Sequence, residues 1–154
     1  MSLTFQVEPW SRFCVDADAL MDRHWQESAL DREKFPRALS AGVYSEADRA
    51  GSLCILTARR DGKICGYYIS TIVAHPHYAG SGRMAFTDIY FLAPEERKAG
   101  LGIRLIIEAE QAMRERGAVK AYASTKIHQD LSPLFVGLGW KPTDITFTKL
   151  LEER

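Results

Sequence analysis

Arg97-Lys98-Ala99-Gly100-Leu101-Gly102 joins a strand-like run, Phe86 to Leu92, to the longest amphipathic segment of the chain, Leu101 to Arg116. Glycine at such a junction lets backbone approach a ligand closely and takes up dihedrals closed to other residues. The free N–H groups of a helix's first turn point out of its end, and the helix dipole favours an anion there. Arg97 and Lys98 add positive charge at the same mouth. A pyrophosphate suits this physics. The segment is neither a Walker loop, since no Gly-Lys-Ser/Thr follows, nor the G-x-G-x-x-G of dinucleotide folds. On these residues alone, a Gly100 that merely relieves a tight strand-to-helix turn is an equally good reading.

Outward from this junction, periodicity predicts the other elements. Leu105, Ile106, Ala109, Ala112 and Met113 form the apolar stripe of the helix after the turn, which Gly117 stops. Upstream, Ser52 to Arg59 and Cys65 to Ala74 read as strands around an Asp61-Gly62 hairpin turn. A loop rich in Pro, His and Gly, His75 to Gly82, precedes the Phe86 to Leu92 strand. Thr4 to Val7 alternates as an opening strand. Val15 to Ser28 places Ala17, Leu20, Met21, His24 and Ser28 on one helical face. A second helix is expected over Arg32 to Ala41, interrupted by Pro36 and ending near Gly42. Downstream come a strand over Val119 to Thr125, a short helix over Leu131 to Leu138 and a last strand over Thr143 to Leu151. The order β-α-α-β-β-β-α-β-α-β is that of an α/β (α+β) protein.

At 154 residues the chain has the length of one domain, and residues 1–154 are read as such. Twenty Lys and Arg balance 20 Asp and Glu, and the isoelectric point is about 6.9. A binder of nucleic acid working by bulk charge is expected to be clearly basic, so the balance argues against that partner. No apolar run approaches a membrane span, and Met1 to Trp10 carries no signal-peptide pattern. Cys14, Cys54 and Cys65 are odd in number and lack metal-ligand spacing, so they read as reduced thiols of a cytoplasmic protein.

The Phe86 to Leu92 strand, the R-x-x-G-x-G turn, the amphipathic helix, the strand after it and Phe135-x-x-Leu138-Gly139-Trp140 together resemble the GNAT superfamily of N-acetyltransferases. The likeness runs from Leu53 to Leu150, and the paired helices before it look like the family's substrate-side helices. His24-Trp25-x-Glu27 and Pro94-Glu95-x-Arg97 look most like the short members encoded by phage and prophage. The resemblance implies a single GNAT-like domain, with a central mixed, mostly antiparallel sheet flanked by helices on both faces. It also implies acetyl-coenzyme A as co-substrate, its pyrophosphate on Arg97, Lys98, Ala99, Gly100, Leu101 and Gly102, and its pantetheine on backbone of Phe91 and Leu92.

In such enzymes the amine attacks the thioester directly, which calls for a base and a firmly held thioester. Asp88 stands where many relatives carry a glutamate base, and burial is expected to raise its pKa toward neutrality. A carboxylate that pairs with an Arg or caps a loop is the structural alternative. His24 and Glu27, on the first helix, and His75, His77 and Tyr78, in the long loop, are the candidates for binding an amine. His-x-His without a third ligand gives no metal site, and no metal is expected. Where many relatives have a tyrosine general acid this chain has Phe135, leaving Tyr122, Ser124 or His128 in that role, or a thiolate that departs unprotonated. A coenzyme A thiol resembles cysteine, with a pKa of about 8.5, so that departure is tolerable.

The leading expectation is an acetyl-coenzyme A-dependent N-acetyltransferase acting on a primary amine, in a small molecule or a peptide. The Phe135 departure favours a non-catalytic coenzyme A-binding or regulatory module as the alternative. A phage-type nucleobase-modifying transferase is a further one, against which the neutral charge counts. A homodimer paired through sheet edges is left open.

Overall fold

Leu53–Arg60 is buried almost end to end, and a strand buried on both faces requires a layer on each side. The computed structural model describes residues 2–151 and divides into two compact units, Met1–Ser124 and Thr125–Arg154. The first unit holds a five-stranded sheet in the order β1-β2-β3-β4-β5. Its strands are β1 (Leu3–Val7), β2 (Leu53–Arg60), β3 (Lys63–Ala74), β4 (Arg83–Leu92) and β5 (Ala118–Tyr122). β1 to β4 pair antiparallel, and β4 with β5 pairs parallel. The sheet is therefore mixed and mostly antiparallel, as expected.

Alternation along β2 and β3 sends successive side chains to opposite faces. Leu53, Ile55, Tyr67 and Ile69 face a cluster supplied by α1 (Trp10–Asp16) and α2 (Asp18–Ser28): Trp10, Phe13, Ala17, Leu20 and Met21. Phe13 meets the Tyr67 ring edge-on at 5.5 Å. Burying each of these large side chains contributes roughly 1.5–3 kcal/mol. The intervening side chains face α4 (Leu101–Glu115), where the Ser70 hydroxyl donates to Met113 Sδ at 3.4 Å. Leu101, Leu105, Ile106, Ala109, Ala112 and Met113 are the buried stripe of α4, the positions that periodicity assigns.

Three expectations are corrected. The helix read over Val15 to Ser28 is two helices, α1 and α2, which meet at Ala17. The helix read over Arg32 to Ala41 lies further on, as α3 (Ala41–Arg49). Pro36 and the left-handed Asp31 (φ 52°) hold the preceding residues in turns, and the Ser40 hydroxyl caps α3 by accepting from the Val43 N–H at 3.4 Å. Gly42 opens this helix instead of ending one. The strand read over Thr143 to Leu151 does not form, and Ile145, Phe147 and Leu151 are exposed. Alternating side chains make a strand only where a neighbour completes the hydrogen-bond ladder, and this segment joins no ladder among the described residues. In the second unit α5 (Ser132–Gly137) carries the buried Phe135, packed edge-on against Trp140 at 5.2 Å.

Just past the end of β1 lies a charge cluster in which Glu8 and Arg59 are buried and Asp16 is exposed. Arg59 donates to both oxygens of Glu8 (2.6 and 2.9 Å), both of Asp16 (2.6 and 3.0 Å) and the Gly62 carbonyl (3.0 Å). Burial pushes the Glu8 carboxyl up, but the Arg59 hydrogen bonds and charge outweigh it and hold it below its ordinary range. Arg59 likewise lowers Asp16.

Candidate active site

β4 is irregular in two places, and both shape the site. Ile69 of β3 pairs with Ile89, but Ser70 pairs with Thr87, so Asp88 is the extra residue of a β-bulge. A bulge re-aims the side chain it carries. On the other side, pairing with β5 ends at Phe86–Tyr122, whereas β4 continues to Leu92. The two strands part there. The Ala93 N–H donates to Cys65 O of β3 at 2.9 Å, and Arg97 Nε donates to Leu92 O at 2.9 Å. By strand alternation Phe91 and Ala93 turn their peptide groups to β3, and Tyr90 and Leu92 turn theirs to the side where β5 has ended. The Leu92 N–H thus faces away from β3, its carbonyl being taken by Arg97, while Phe91 is engaged in the ladder opposite Tyr67.

β4 leads through the turn Pro94–Glu96 to the glycine-rich segment, and this turn is clamped from three sides. Arg23 of α2 is bidentate on Glu95 (2.9 and 2.6 Å), Arg60 of β2 on Glu96 (2.7 and 2.6 Å), and Glu27 of α2 on Arg97. The Arg23 hydrogen bonds pull the Glu95 carboxyl down to about 2. Arg97 also lies over the Phe91 ring, 5.1 Å from its centre. Its guanidinium therefore holds the turn together by three contacts within the protein.

Ala99 (φ 51°) and Gly100 (φ 74°) are both left-handed, which for a residue with a Cβ costs about 1–2 kcal/mol. α4 starts directly after them with no side chain capping its N-terminus. A Cβ built on Gly100 or Gly102 meets no heavy atom within 4 Å. Gly100 is explained by its dihedral. Gly102 is required neither by its dihedral nor by any neighbour. Open amide groups at a helix start, with Lys98 beside them, fit a pyrophosphate.

Asp88 is exposed, and the burial expected of it is not there. The Tyr44 hydroxyl of α3 donates to Asp88 Oδ2 at 2.5 Å instead. Tyr44 stacks on Trp10 (4.6 Å, 11°), and Trp10 in turn donates its backbone N–H to Asp48 Oδ2 at 2.9 Å. Burial and the Asp88 carboxylate both raise the Tyr44 pKa, so it stays a phenol and a donor. Tyr44, Asp88, Leu39, Val43 and Ala47 are among the residues around a cavity of about 370 Å³. Tyr44 escaped the sequence reading because the helix that presents it was expected to end at Gly42. Ser40 followed by Val43 and Ala47 at helical spacing was the signal for it.

The other candidates lie elsewhere. None of His24, Glu27, His75, His77 and Tyr78 lines that cavity. His24 is packed, its Nδ1 2.7 Å from the Tyr67 hydroxyl and its ring stacked on Phe91 at 4.7 Å. His75, His77 and Tyr78 form a ring cluster beside Phe86 of β4, with His75 4.9 Å from Tyr78 and 6.0 Å from Phe86. Among the described residues no group of His, Cys, Asp and Glu can hold a metal. Tyr122 is stacked on Phe86 with its hydroxyl on Met84 Sδ, and the Ser124 carbonyl accepts from the Tyr90 hydroxyl at 2.9 Å. Burial raises the Cys54 and Cys65 thiols, which keeps them protonated and poor nucleophiles.

No curated protein matches the chain in sequence. Solved structures share its fold. An aminoglycoside acetyltransferase from an uncultured soil metagenomic sample superposes with a TM-score of 0.73 at 13% identity, covering 97% of each chain. Ribosomal-protein-alanine N-acetyltransferase from Brucella melitensis biovar Abortus 2308 gives 0.71 at 14% identity, over 98% of this chain and 100% of the other. A predicted acetyltransferase with acetyl-CoA from Clostridium acetobutylicum gives 0.71 at 13% identity, over 97% of each chain. The sequence profile of the acetyltransferase (GNAT) family matches residues 15–133. With the bulged and parted β4, the glycine-opened α4 and a profile match over most of its length, the chain belongs to the acetyltransferase (GNAT) family.

Proposed function

We propose that this acetyltransferase uses acetyl-coenzyme A and transfers the acetyl group to a primary amine, with Asp88 as the base. The observation that carries the reading is the uncapped start of α4 behind the left-handed Ala99 and Gly100, directly after the parted strand. Amides of Gly100 and Gly102, with Lys98, would hold the pyrophosphate, and Leu92 backbone the pantetheine; the Leu101 N–H, among the groups expected there, donates instead to the Lys98 carbonyl at 3.1 Å. Bound there, acetyl-coenzyme A supplies an acetyl group activated as a thioester. Asp88, turned out of the ladder by its bulge, is placed to hold an ammonium and take a proton at its carboxylate, directly or through water. Tyr44 fixes that carboxylate through Oδ2.

We read residues 1–154 as one domain working in the cytoplasm on a small-molecule or peptide amine, and place it with the short phage and prophage members. The His24-Trp25-x-Glu27 and Pro94-Glu95-x-Arg97 residues support that placement. A homodimer is compatible with this reading. Among the described residues no helix is long and apolar enough to cross a membrane.

Calorimetric titration with acetyl-coenzyme A and coenzyme A, run beside a coenzyme A release assay over a panel of amines, tests the reading. Micromolar binding and amine-dependent release are expected, with Asp88→Asn losing release about 100-fold and keeping cofactor affinity. No binding at millimolar ligand sinks it. Cofactor binding without turnover by any amine, unchanged in Asp88→Asn, favours the regulatory module.

A further inference from the structure

The cavity beside Asp88 has a chemistry narrower than "primary amine". Its volume, about 370 Å³, is at the small end of ligand pockets, which run roughly 300–1,000 Å³. Asp88 is the single charged side chain in its lining. The walls from α3 and the segment before it carry the apolar Leu39, Val43 and Ala47, and the remaining polar groups of the lining are the neutral hydroxyls of Ser40, Tyr44 and Thr71. Leu39 and Val43 are exposed, at 37% and 64%, so part of their apolar surface is open. One Asp88 oxygen already accepts the Tyr44 hydroxyl, and the Tyr44 ring is fixed by its stack on Trp10.

We propose that this cavity seats a monoamine whose ammonium sits on an alkyl or aryl body, the charge on Asp88 and the body against Leu39, Val43 and Ala47. One carboxylate balances one cation. A second or third ammonium, as in a polyamine or an aminoglycoside, would meet no second carboxylate in the lining, only neutral hydroxyls and apolar wall, and desolvating a charge without a counter-charge is costly. The apolar body of a monoamine gains instead from covering Leu39 and Val43. This rests on the acetyltransferase reading for what the bound amine does, not for where it sits.

The test is methyl NMR of the coenzyme A-loaded protein, titrated with 2-phenylethylamine, hexylamine, spermidine and kanamycin. The monoamines are expected to shift the Val43, Leu39 and Ala47 methyls and to bind at least about tenfold tighter than spermidine or kanamycin. Val43→Asp, at an exposed position that tolerates it, should reverse the preference toward spermidine, and Asp88→Asn should abolish saturable shifts. Polyamine binding as tight as monoamine binding overturns the proposal, as does monoamine binding indifferent to Val43→Asp. The release assay separates the two readings. Coenzyme A released with an amine that leaves the Val43 methyls unmoved refutes this pocket and keeps the acetyl transfer. Monoamine shifts that vanish in Asp88→Asn, without release, support the pocket and count against transfer.

Discussion

Glu27 of α2 grips Arg97 of the glycine-rich turn through both ends of its guanidinium, Oε1 to Nη1 at 2.7 Å and Nη2 to Oε2 at 2.9 Å. Two residues expected on sequence to face ligands are bound to each other. Together with Arg23–Glu95 and Arg60–Glu96, the pair fixes the turn that delivers β4 into α4.

On the proposed function, Arg97 would act on the cofactor by holding the turn. Glu27→Gln and Arg97→Ala should each weaken acetyl-coenzyme A binding by about fivefold, and the double variant no more than either single. Because the pair is partly exposed, each change should cost only about 0.5–1 kcal/mol of stability. Calorimetry on the four proteins of this cycle decides it. Losses that add, or a loss far greater for Arg97→Ala than for Glu27→Gln, mean that Arg97 touches the phosphate directly.

At Gly102 the fold and the ligand make opposite demands. An alanine there meets open space at an ordinary helical dihedral, so Gly102→Ala should raise stability by about 0.5–1 kcal/mol. Gly102→Val should leave the melting temperature close to the parent's and weaken acetyl-coenzyme A more than tenfold, by crowding the helix start. Unchanged affinity in the valine variant would remove the phosphate assignment. Gly100→Val tests the same site less cleanly, since its φ of 74° strains any side chain.

Acid should loosen the protein through Glu8 and Asp16. Both carboxyls titrate below their ordinary values of 4.5 and 3.8 in the folded state. A depressed folded pKa gives stability that is present above the unfolded value and lost as pH falls through the folded one. The urea midpoint should therefore fall below about pH 4.5, and less steeply in a Glu8→Gln/Asp16→Asn variant. Arg59→Met should cost about 3 kcal/mol or more at pH 7, because it leaves Glu8, only 3% exposed at its side chain, as an unpaired buried charge. A midpoint in Arg59→Met equal to the parent's contradicts this account of the cluster.

Local signals carried most of the architecture. The apolar stripe of α4, the Asp61-Gly62 hairpin and the alternation of β2 to β4 are set by neighbours in sequence, so the chain states them on its own. The phosphate turn was legible for the same reason: glycine spacing, charge and the following helix all fall within a few residues. α3 lies further along than periodicity places it, because Pro36 and Gly42 carry the local signals of interruption and stop while the Ser40 cap starts the helix beyond them. The segment Thr143 to Leu151 shows the other limit, since alternation is a local property and a ladder partner is not.

The sequence by itself determined the order of the main strands and helices, the glycine-rich start of α4 and the place of a carboxylate in the strand before it. Only the tertiary structure decided what those residues meet. It turned Asp88 out through a one-residue bulge whose evidence is the register of β3, and brought Tyr44 onto it from 44 positions away. It tied Glu27 to Arg97 across 70 positions and packed His24 against Tyr67 and Phe91. Periodicity reports which way a side chain faces from its own element. Which side chain faces it from another element is settled by sheet register and helix packing, and those depend on contacts distant in the chain.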